Sequence, residues 1–254
     1  MEPVLKVENL TKVFTRKGQP DFTAVDHIGF ELYPGECLGL IGESGSGKTT
    51  VVNMITRLVD STEGRILLGG EDITRLSGKE LRKAYSEMQM VFQTPTDSFD
   101  PRCTLGDGIG ESLRNNGWGR SSTNMEVARL LERCGLSADF ASRYPHEVSG
   151  GQCQRAAIAR ALAIKPKLLI CDEATASLDV TIQKEIIALL NELRYNHAGD
   201  LSILFICHDI ALVQQFCDRV LVLYKGKIVE QGTPDDVIRN PQNDYTKRLI
   251  ESIL

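Results

Sequence analysis

The chain has 254 residues, of which 42% are hydrophobic and 25% charged, with a formal net charge of −5 and a pI near 5.5. That length and apolar share suffice for one large domain with a subdomain, and the acidic balance argues against a nucleic-acid surface, which needs a basic stripe. No apolar run approaches the ~20 residues that span a bilayer, and the opening M-E-P-V-L-K-V-E-N-L lacks a signal-peptide pattern, so a soluble or peripheral protein is expected.

In chain order, V-L-K-V-E-N-L (4–10) and I-G-F-E-L (28–32) read as strands of an antiparallel layer, separated by the polar loop T-R-K-G-Q-P-D. The apolar run C-L-G-L-I (37–41) reads as a buried strand, and T-V-V-N-M-I-T-R-L-V (50–59) as a helix. Between them, residues 42–49, G-E-S-G-S-G-K-T, fit the phosphate-binding pattern G-x-x-x-x-G-K-[ST]. Glycine lets the backbone curl so that successive N–H groups face phosphate oxygens. Lys48 adds a point charge, Thr49 offers a hydroxyl to Mg²⁺, and the following helix presents its positive N-terminus. Gly42, Glu43, Ser44, Gly45, Ser46, Gly47, Lys48, Thr49 and Thr50 are therefore candidate nucleotide ligands.

Residues 64–70 supply another strand and turn. Gln93 follows the strand-like M-Q-M-V-F and is a polar candidate for the metal or the attacking water. The Pro-rich loop after it, T-P-T-D-S-F-D-P-R, is expected to be exposed. From about 95 to 162 the character turns helical. R-N-N-G-W-G-R-S-S-T reads as a flexible loop, and the apolar residues at 127, 130, 131 and 134 mark one face of a helix. Trp118 in that loop either meets a partner or packs locally. Residues 148–152, V-S-G-G-Q, place Ser149, Gly150, Gly151 and Gln152 before an alanine-rich helix ending near Leu162, a second anion-binding helix N-terminus.

Residues 168–171 form a short apolar strand ending in Asp172 and Glu173. Asp172 is placed to hold Mg²⁺ with Thr49, and Glu173 to orient or deprotonate the attacking water. A helix over 180–195 leads to the strand 201–207. His208 stands at that strand's end, where open α/β sheets bind ligands, and can hydrogen-bond a γ-phosphate. A helix over 209–217, strands 220–224 and 227–231 joined at Lys225-Gly226, and a helix from 244 to 253 complete the chain.

Taken together these motifs resemble the ATP-binding subunit of an ABC transporter, from about Leu5 to the C-terminus. In that family's terms, 42–49 is the Walker A loop, Gln93 the Q-loop and 148–152 the signature. Asp172 and Glu173 match Walker B and the catalytic glutamate, Ser177-Leu178-Asp179 the D-loop, and His208 the switch histidine. S-G-G-Q followed by Q-R-A-A-I-A-R-A-L is the specific part, since P-loops occur in many NTPases. The resemblance implies an α/β P-loop core with an antiparallel β layer and a helical subdomain. Residues 1–94 and 163–254 would form the core, and about 95–162 the subdomain. It implies ATP and Mg²⁺ at a site shared head to tail, where Ser149, Gly150 and Gly151 of one subunit close over ATP held by Lys48 of the other. Catalytic roles fall on Glu173, His208, Gln93 and Lys48, and metal ligation on Thr49, Gln93 and Asp172. Phe14 matches the aromatic that stacks on adenine, with Val25 as an apolar companion or a core residue.

Several stretches, A-V-D-H-I-G-F-E-L-Y-P-G-E-C-L-G-L-I-G-E-S-G, R-Y-P-H-E, P-K-L-L-I-C-D-E, F-D-P-R and N-P-Q-N-D-Y-T-K-R-L-I, resemble importers of oligopeptides, dipeptides, nickel or opine-type metal chelates. The resemblance then implies two transmembrane permeases, an extracytoplasmic solute-binding protein and a place on the cytoplasmic face of the inner membrane. A second, related ATPase is expected as the partner in a heterodimer, ahead of a homodimer, since the chain stops at Leu254 without the clustered cysteines of longer members. Residues near Phe99, Asp100, Pro101 and Arg102 are expected to meet the permease. The alternative is a soluble ABC-type ATPase acting as a mechanical switch on ribosomes or DNA. Val148, Ala174 and Cys207 depart from the family's usual residues but remove no chemical group. The seven cysteines (37, 103, 134, 153, 171, 207 and 217) lack C-x-x-C pairs and are expected to be buried thiols. Cysteines 153, 171 and 207, near motifs, are either thiol-sensitive or inert.

Overall fold

A computed structural model describes residues 2–15, 18, 20–176, 178–196 and 201–251, with the backbone alone for Asn196. In chain order the strands are β1 (Leu5–Phe14), β2 (Phe22–Leu32), β3 (Cys37–Ile41), β4 (Glu63–Leu68), β5 (Glu71–Asp72), β6 (Met88–Val91), β7 (Leu168–Asp172), β8 (Ser202–Ile206), β9 (Arg219–Tyr224) and β10 (Lys227–Gly232). The α-helices are α1 (Lys48–Ile55), α2 (Gly78–Glu87), α3 (Leu105–Asn115), α4 (Arg120–Arg133), α5 (Gly150–Leu162), α6 (Val180–Asn196), α7 (Ile210–Phe216), α8 (Pro234–Arg239) and α9 (Asp244–Glu251).

Two sheets result. β2-β1-β4-β5 is antiparallel, and the second runs β10-β9-β3-β8-β7-β6. In the second sheet β6, β7, β8, β3 and β9 are parallel, and β10 returns antiparallel as an edge hairpin. Every residue of β3 and β8 is buried, which explains why both read as continuous apolar runs rather than alternating ones. One face of this sheet shares a core with α1 and the antiparallel sheet through Leu38, Leu40, Val51, Ile55, Leu5 and Ile66. The opposite face packs α6, α7 and the helices α3, α4 and α5. Because the central strands are parallel, Ile41, Asp172, Ile206 and Val91 all end at the same sheet edge.

The mixed α/β class follows the expectation, and several details differ from it. α1 stops at Ile55 rather than continuing to 59, because Arg57 takes a positive φ of 57°. The expected loop over 114–123 is largely helical: α3 runs to Asn115 and α4 begins at Arg120, leaving a short connection with Trp118 partly exposed. The loop after Gln93 is also tighter than expected. Residues Pro95–Ser98 form a 3-10 turn, and Pro95, Ser98 and Phe99 are buried. Phe99 packs under α3 close to Gly108 and beneath the Arg160 guanidinium, while Thr94, Thr96, Asp97 and residues 100–103 of that segment stay exposed. The C-terminal helix ends at Glu251 among the described residues; 252–254 lie outside them, as does Ser177 of the expected D-loop.

Candidate functional site

β3 delivers the chain into the loop 42–47, which wraps back to start α1 at Lys48. Gly42 makes the entry. At its φ of 151° an added Cβ would lie 2.2 Å from the Leu223 carbonyl oxygen, so no side chain fits. The loop is braced from outside by the β9–β10 turn, where the Gly226 N–H donates to the Ser46 carbonyl at 2.8 Å. A second brace comes from α9: the Glu43 N–H donates to the Tyr245 hydroxyl at 3.0 Å. α1 has no side-chain cap and no acidic residue in its first turn, in contrast to α7, whose first amides are taken by Asp209. Its leading N–H groups are thus left for an anion. The Ser46 hydroxyl is buried with no hydrogen-bond partner among the described residues.

Lys48 is buried and folds over its own loop, donating to the carbonyls of Gly42 at 2.7 Å and Glu43 at 2.9 Å. Burial pulls its pKa down, against the opposing charges of Glu173 and Asp172. Asp172 shows the converse: burial and then the charge of Glu173 push its carboxyl above the usual range, with Lys48 holding it back. Hence the loop lysine and the two carboxylates share one electrostatic neighbourhood. Leu40, Ile206 and Asp172 stand in one row across the sheet. Glu173 then leaves the strand with a positive φ of 48°, an unusual conformation for a non-glycine residue and one that concentrates at functional sites.

His208 follows β8 and is exposed. A cavity of about 600 Å³ is lined by Gly42, Glu43, Ser44, His208, Asp209 and Gln214, so the first residues of the loop and the histidine face the same space. Gln93 emerges from β6 beside β7 and is exposed. Phe14, at the end of β1, is partly exposed with the Lys12 ammonium 5.0 Å from its ring centroid. Val25 is fully buried and is a core residue.

The second candidate anion site, at the start of α5, lies elsewhere on the molecule. Ser149 caps α5: its hydroxyl accepts from the Gln152 N–H at 3.3 Å, while the Gln152 side chain accepts from the Ser149 N–H at 3.0 Å. This reciprocal cap fixes where α5 begins. Gly150 is exposed at the helix tip, and Gly151 is buried against Ile182 of α6. The adjoining cavity of about 450 Å³ is lined by Ser149, Gly151, Gln152, Arg155, Ile182 and Glu185 among others, and none of its residues lines the cavity at Gly42 and His208. The two candidate regions therefore line separate cavities of one chain.

Burial raises the thiol pKa of Cys153 to about 11 and those of Cys134, Cys171 and Cys207 to about 12. Burial thus favours the protonated form of the three cysteines beside motifs. Cys103 is the exception to the expected burial, being exposed. The contacts made by Tyr245 were not foreseen. The tail's N-P-Q-N-D-Y marked a resemblance, but nothing in its spacing shows which loop the ring reaches.

Comparison with known proteins agrees with this geometry. Residues 25–176 match the family model described as ABC transporter. The chain is 46% identical over 260 residues to the glutathione import ATP-binding protein GsiA of Shigella dysenteriae serotype 1 (strain Sd197), and equally to that of Escherichia coli (strain K12). These alignments cover 99% of this chain but 41% of each relative, so the chain spans about two-fifths of their length. Among solved structures, cbiO1 of Clostridium perfringens, part of the ABC transporter complex cbiONQ, superimposes with a TM-score of 0.83 at 29% identity, covering 94% of this chain and 92% of that one. The ATP-binding cassette MJ0796, in a dimeric post-hydrolysis state with ADP and Pi, gives 0.81 at 28% identity, covering 91% and 98%. The chain belongs to the ABC transporter family, and its fold is that of the family's ATP-binding cassette.

Proposed function

We propose that this chain is the ATP-hydrolysing subunit of an importer, driving uptake of a peptide-like or metal-chelate solute through partner permeases. The observation that carries the reading is the grouping of Lys48, Asp172 and Glu173 in one electrostatic neighbourhood at the open end of the parallel strands. Lys48, Thr49, Thr50 and the amides of Gly45, Ser46 and Gly47 receive the phosphates, and Phe14 stacks on the base. Glu173 takes the proton of the attacking water, and His208 hydrogen-bonds the γ-phosphate. A hard cation takes oxygen ligands, which suits the Thr49 hydroxyl, the Gln93 amide oxygen and the Asp172 carboxylate. The unfavourable charge on Asp172 also suits a cation. When bound, Mg²⁺ would neutralise phosphate charge.

The separation of the signature cavity from the P-loop cavity supports a head-to-tail dimer, in which Ser149, Gly150 and Gly151 meet the partner's nucleotide. ATP bound between two subunits favours the closed pair, and hydrolysis releases it. The relatives are more than twice the aligned length, room for two such units in one polypeptide, which favours a related second ATPase as partner over a homodimer. Residues 95–162 act as the helical subdomain that passes the movement to the permeases, through the exposed residues 100–102. No described helix is long and apolar enough to cross a membrane; in this reading attachment to the cytoplasmic face runs through those permeases.

Affinity purification from membranes in mild detergent, with mass spectrometry, tests the assignment. Two permeases and a second ATPase support it. Recovery with ribosomes or nucleic acid and no membrane protein would overturn it in favour of the soluble mechanical switch.

A further inference from the structure

The peptide joining Gly42 to Glu43 is held from both sides. Its carbonyl, that of Gly42, accepts from the Lys48 ammonium at 2.7 Å, and its N–H, that of Glu43, donates to the Tyr245 hydroxyl at 3.0 Å. No peptide bond among the described residues is cis, so the two groups point in opposite directions and the plane is strung between a lysine and a phenol. Gly42 has no side chain to resist rotation of that plane about its own bonds. The tyrosine supplies the resistance.

Tyr245 is itself firmly placed. Its ring is buried and stacks on Tyr224 with centroids 3.9 Å apart and planes at 24°. Tyr224 is the last residue of β9, immediately before the turn that braces Ser46. The helix carrying Tyr245 is anchored at its start. Both oxygens of Glu230 on β10 accept main-chain N–H groups, from Gln242 at 2.7 Å and Asn243 at 3.0 Å. The Asn243 side chain in turn accepts from the Tyr245 N–H at 2.9 Å. Leu249 and Ile250, also buried, seat the same face of α9. Burial raises the phenol's pKa, so the group is a neutral hydroxyl at physiological pH.

We infer that Tyr245 is a positioning residue for nucleotide binding: from the C-terminal helix it fixes the Gly42–Glu43 peptide and so aims the carbonyl on which Lys48 is poised. The inference rests on the nucleotide reading of the loop. It makes α9 part of the ATP site without touching ATP. Since the tether acts on the loop and not on the γ-phosphate, it serves ATP and ADP alike, and it is a contribution to binding rather than to the chemical step.

The test compares wild type, Tyr245→Phe, Leu249→Ala and Lys48→Ala by calorimetric titration with ATP and with ADP, and by steady-state phosphate release. Tyr245→Phe keeps the ring stack and removes one hydrogen bond, worth about a fivefold change. The expected result is a rise of about fivefold in Kd for both nucleotides and in KM, with kcat at saturating ATP unchanged. Hydrogen–deuterium exchange of peptides covering residues 42–49 should rise in the same variant without nucleotide. Leu249→Ala, which loosens the helix seat but leaves the hydroxyl, should lower Tm with a smaller change in Kd. Unchanged Kd values in Tyr245→Phe would overturn the inference, whatever the Tm. Wild-type ATP affinity in Lys48→Ala would instead overturn the nucleotide reading of the loop, and the role of Tyr245 with it.

Discussion

The Glu173 N–H donates to the Ile206 carbonyl at 3.0 Å, so the residue after β7 stays tied to β8 although its own φ has turned to 48°. The bond belongs to the backbone and survives any change of side chain. Glu173 can therefore lose its carboxylate without losing its place. Glu173→Gln should fold as wild type, bind ATP with unchanged affinity and form the ATP-dependent dimer, while phosphate release falls by about 10²–10⁴-fold. Single-turnover phosphate release beside size-exclusion chromatography with ATP checks both halves; full turnover in the variant would remove Glu173 from the role of base.

The pKa of Asp172 supplies a pH signature. Its carboxyl pKa is raised, by burial first and by Glu173 second. A raised value means that the folded chain holds the proton more tightly than the unfolded one. The favourable contribution is complete below the unfolded pKa and is lost as pH rises through the folded value, so at neutral pH the charge is a cost. Asp172→Asn should then melt above wild type at pH 7.5 without nucleotide, by about 2 °C since solvent screens a half-buried carboxylate. The gap should close as pH falls through the raised value. With MgATP the order should reverse, because only the carboxylate is rewarded by the cation. Thermal melts at several pH values decide it, and a variant that melts below wild type without nucleotide at pH 7.5 would contradict the account.

Gly151 and Ile182 make a steric lock between the signature helix and α6. A Cβ at 151 would sit 2.7 Å from Ile182 Cγ2. Gly151→Ala should accordingly cost about 1–3 kcal/mol through overpacking, and Ile182→Ala in the same chain should restore a large part of it. Urea unfolding of the two single variants and the double variant measures the coupling. Simple additivity would show that the helix is free to shift.

Thiol chemistry gives a further check. Of the seven cysteines only Cys103 is exposed, and burial keeps those at 153, 171 and 207 protonated. Titration of the native protein with a chromogenic disulfide reagent should show one fast-reacting thiol, absent from Cys103→Ser, with phosphate release unaffected by the modification. Rapid loss of activity in Cys103→Ser under the same reagent would locate a reactive thiol at the site.

Much of the fold was legible because phosphate loops and doubly covered strands impose strict local patterns. A loop that curls around an anion needs glycine at set places, as at Gly42 and Gly47, and strands buried on both faces, such as β3 and β8, read as unbroken apolar runs. α2 went unread because among its residues only Ala84 is buried, too little to make an apolar stripe. The first turn of α4, R-S-S-T, has loop-like composition and is helical through the seat that Val127, Leu130 and Leu131 provide further along. Phe99 resembled an exposed docking residue, yet long-range packing under α3 and Arg160 buries it. Tyr245 was invisible for a related reason: a helical period says which face is apolar, not that one hydroxyl on it meets an amide some two hundred positions earlier.

The strand order has a metric consequence. β3, which ends in the P-loop, and β7, which ends in Asp172, are separated by β8 alone. Two strand spacings make that gap about 9.5 Å, and hydrogen bonding in the sheet holds it constant whatever happens above the edge. The sheet is a ruler. Insertions in the loops or rotations of the helices leave the distance between lysine loop and carboxylate untouched, so the gap to be bridged is set by covalent and hydrogen-bonded geometry and not by side-chain choice. Only β8 can change that reading, and β8 is the strand that His208 follows, two residues past its end.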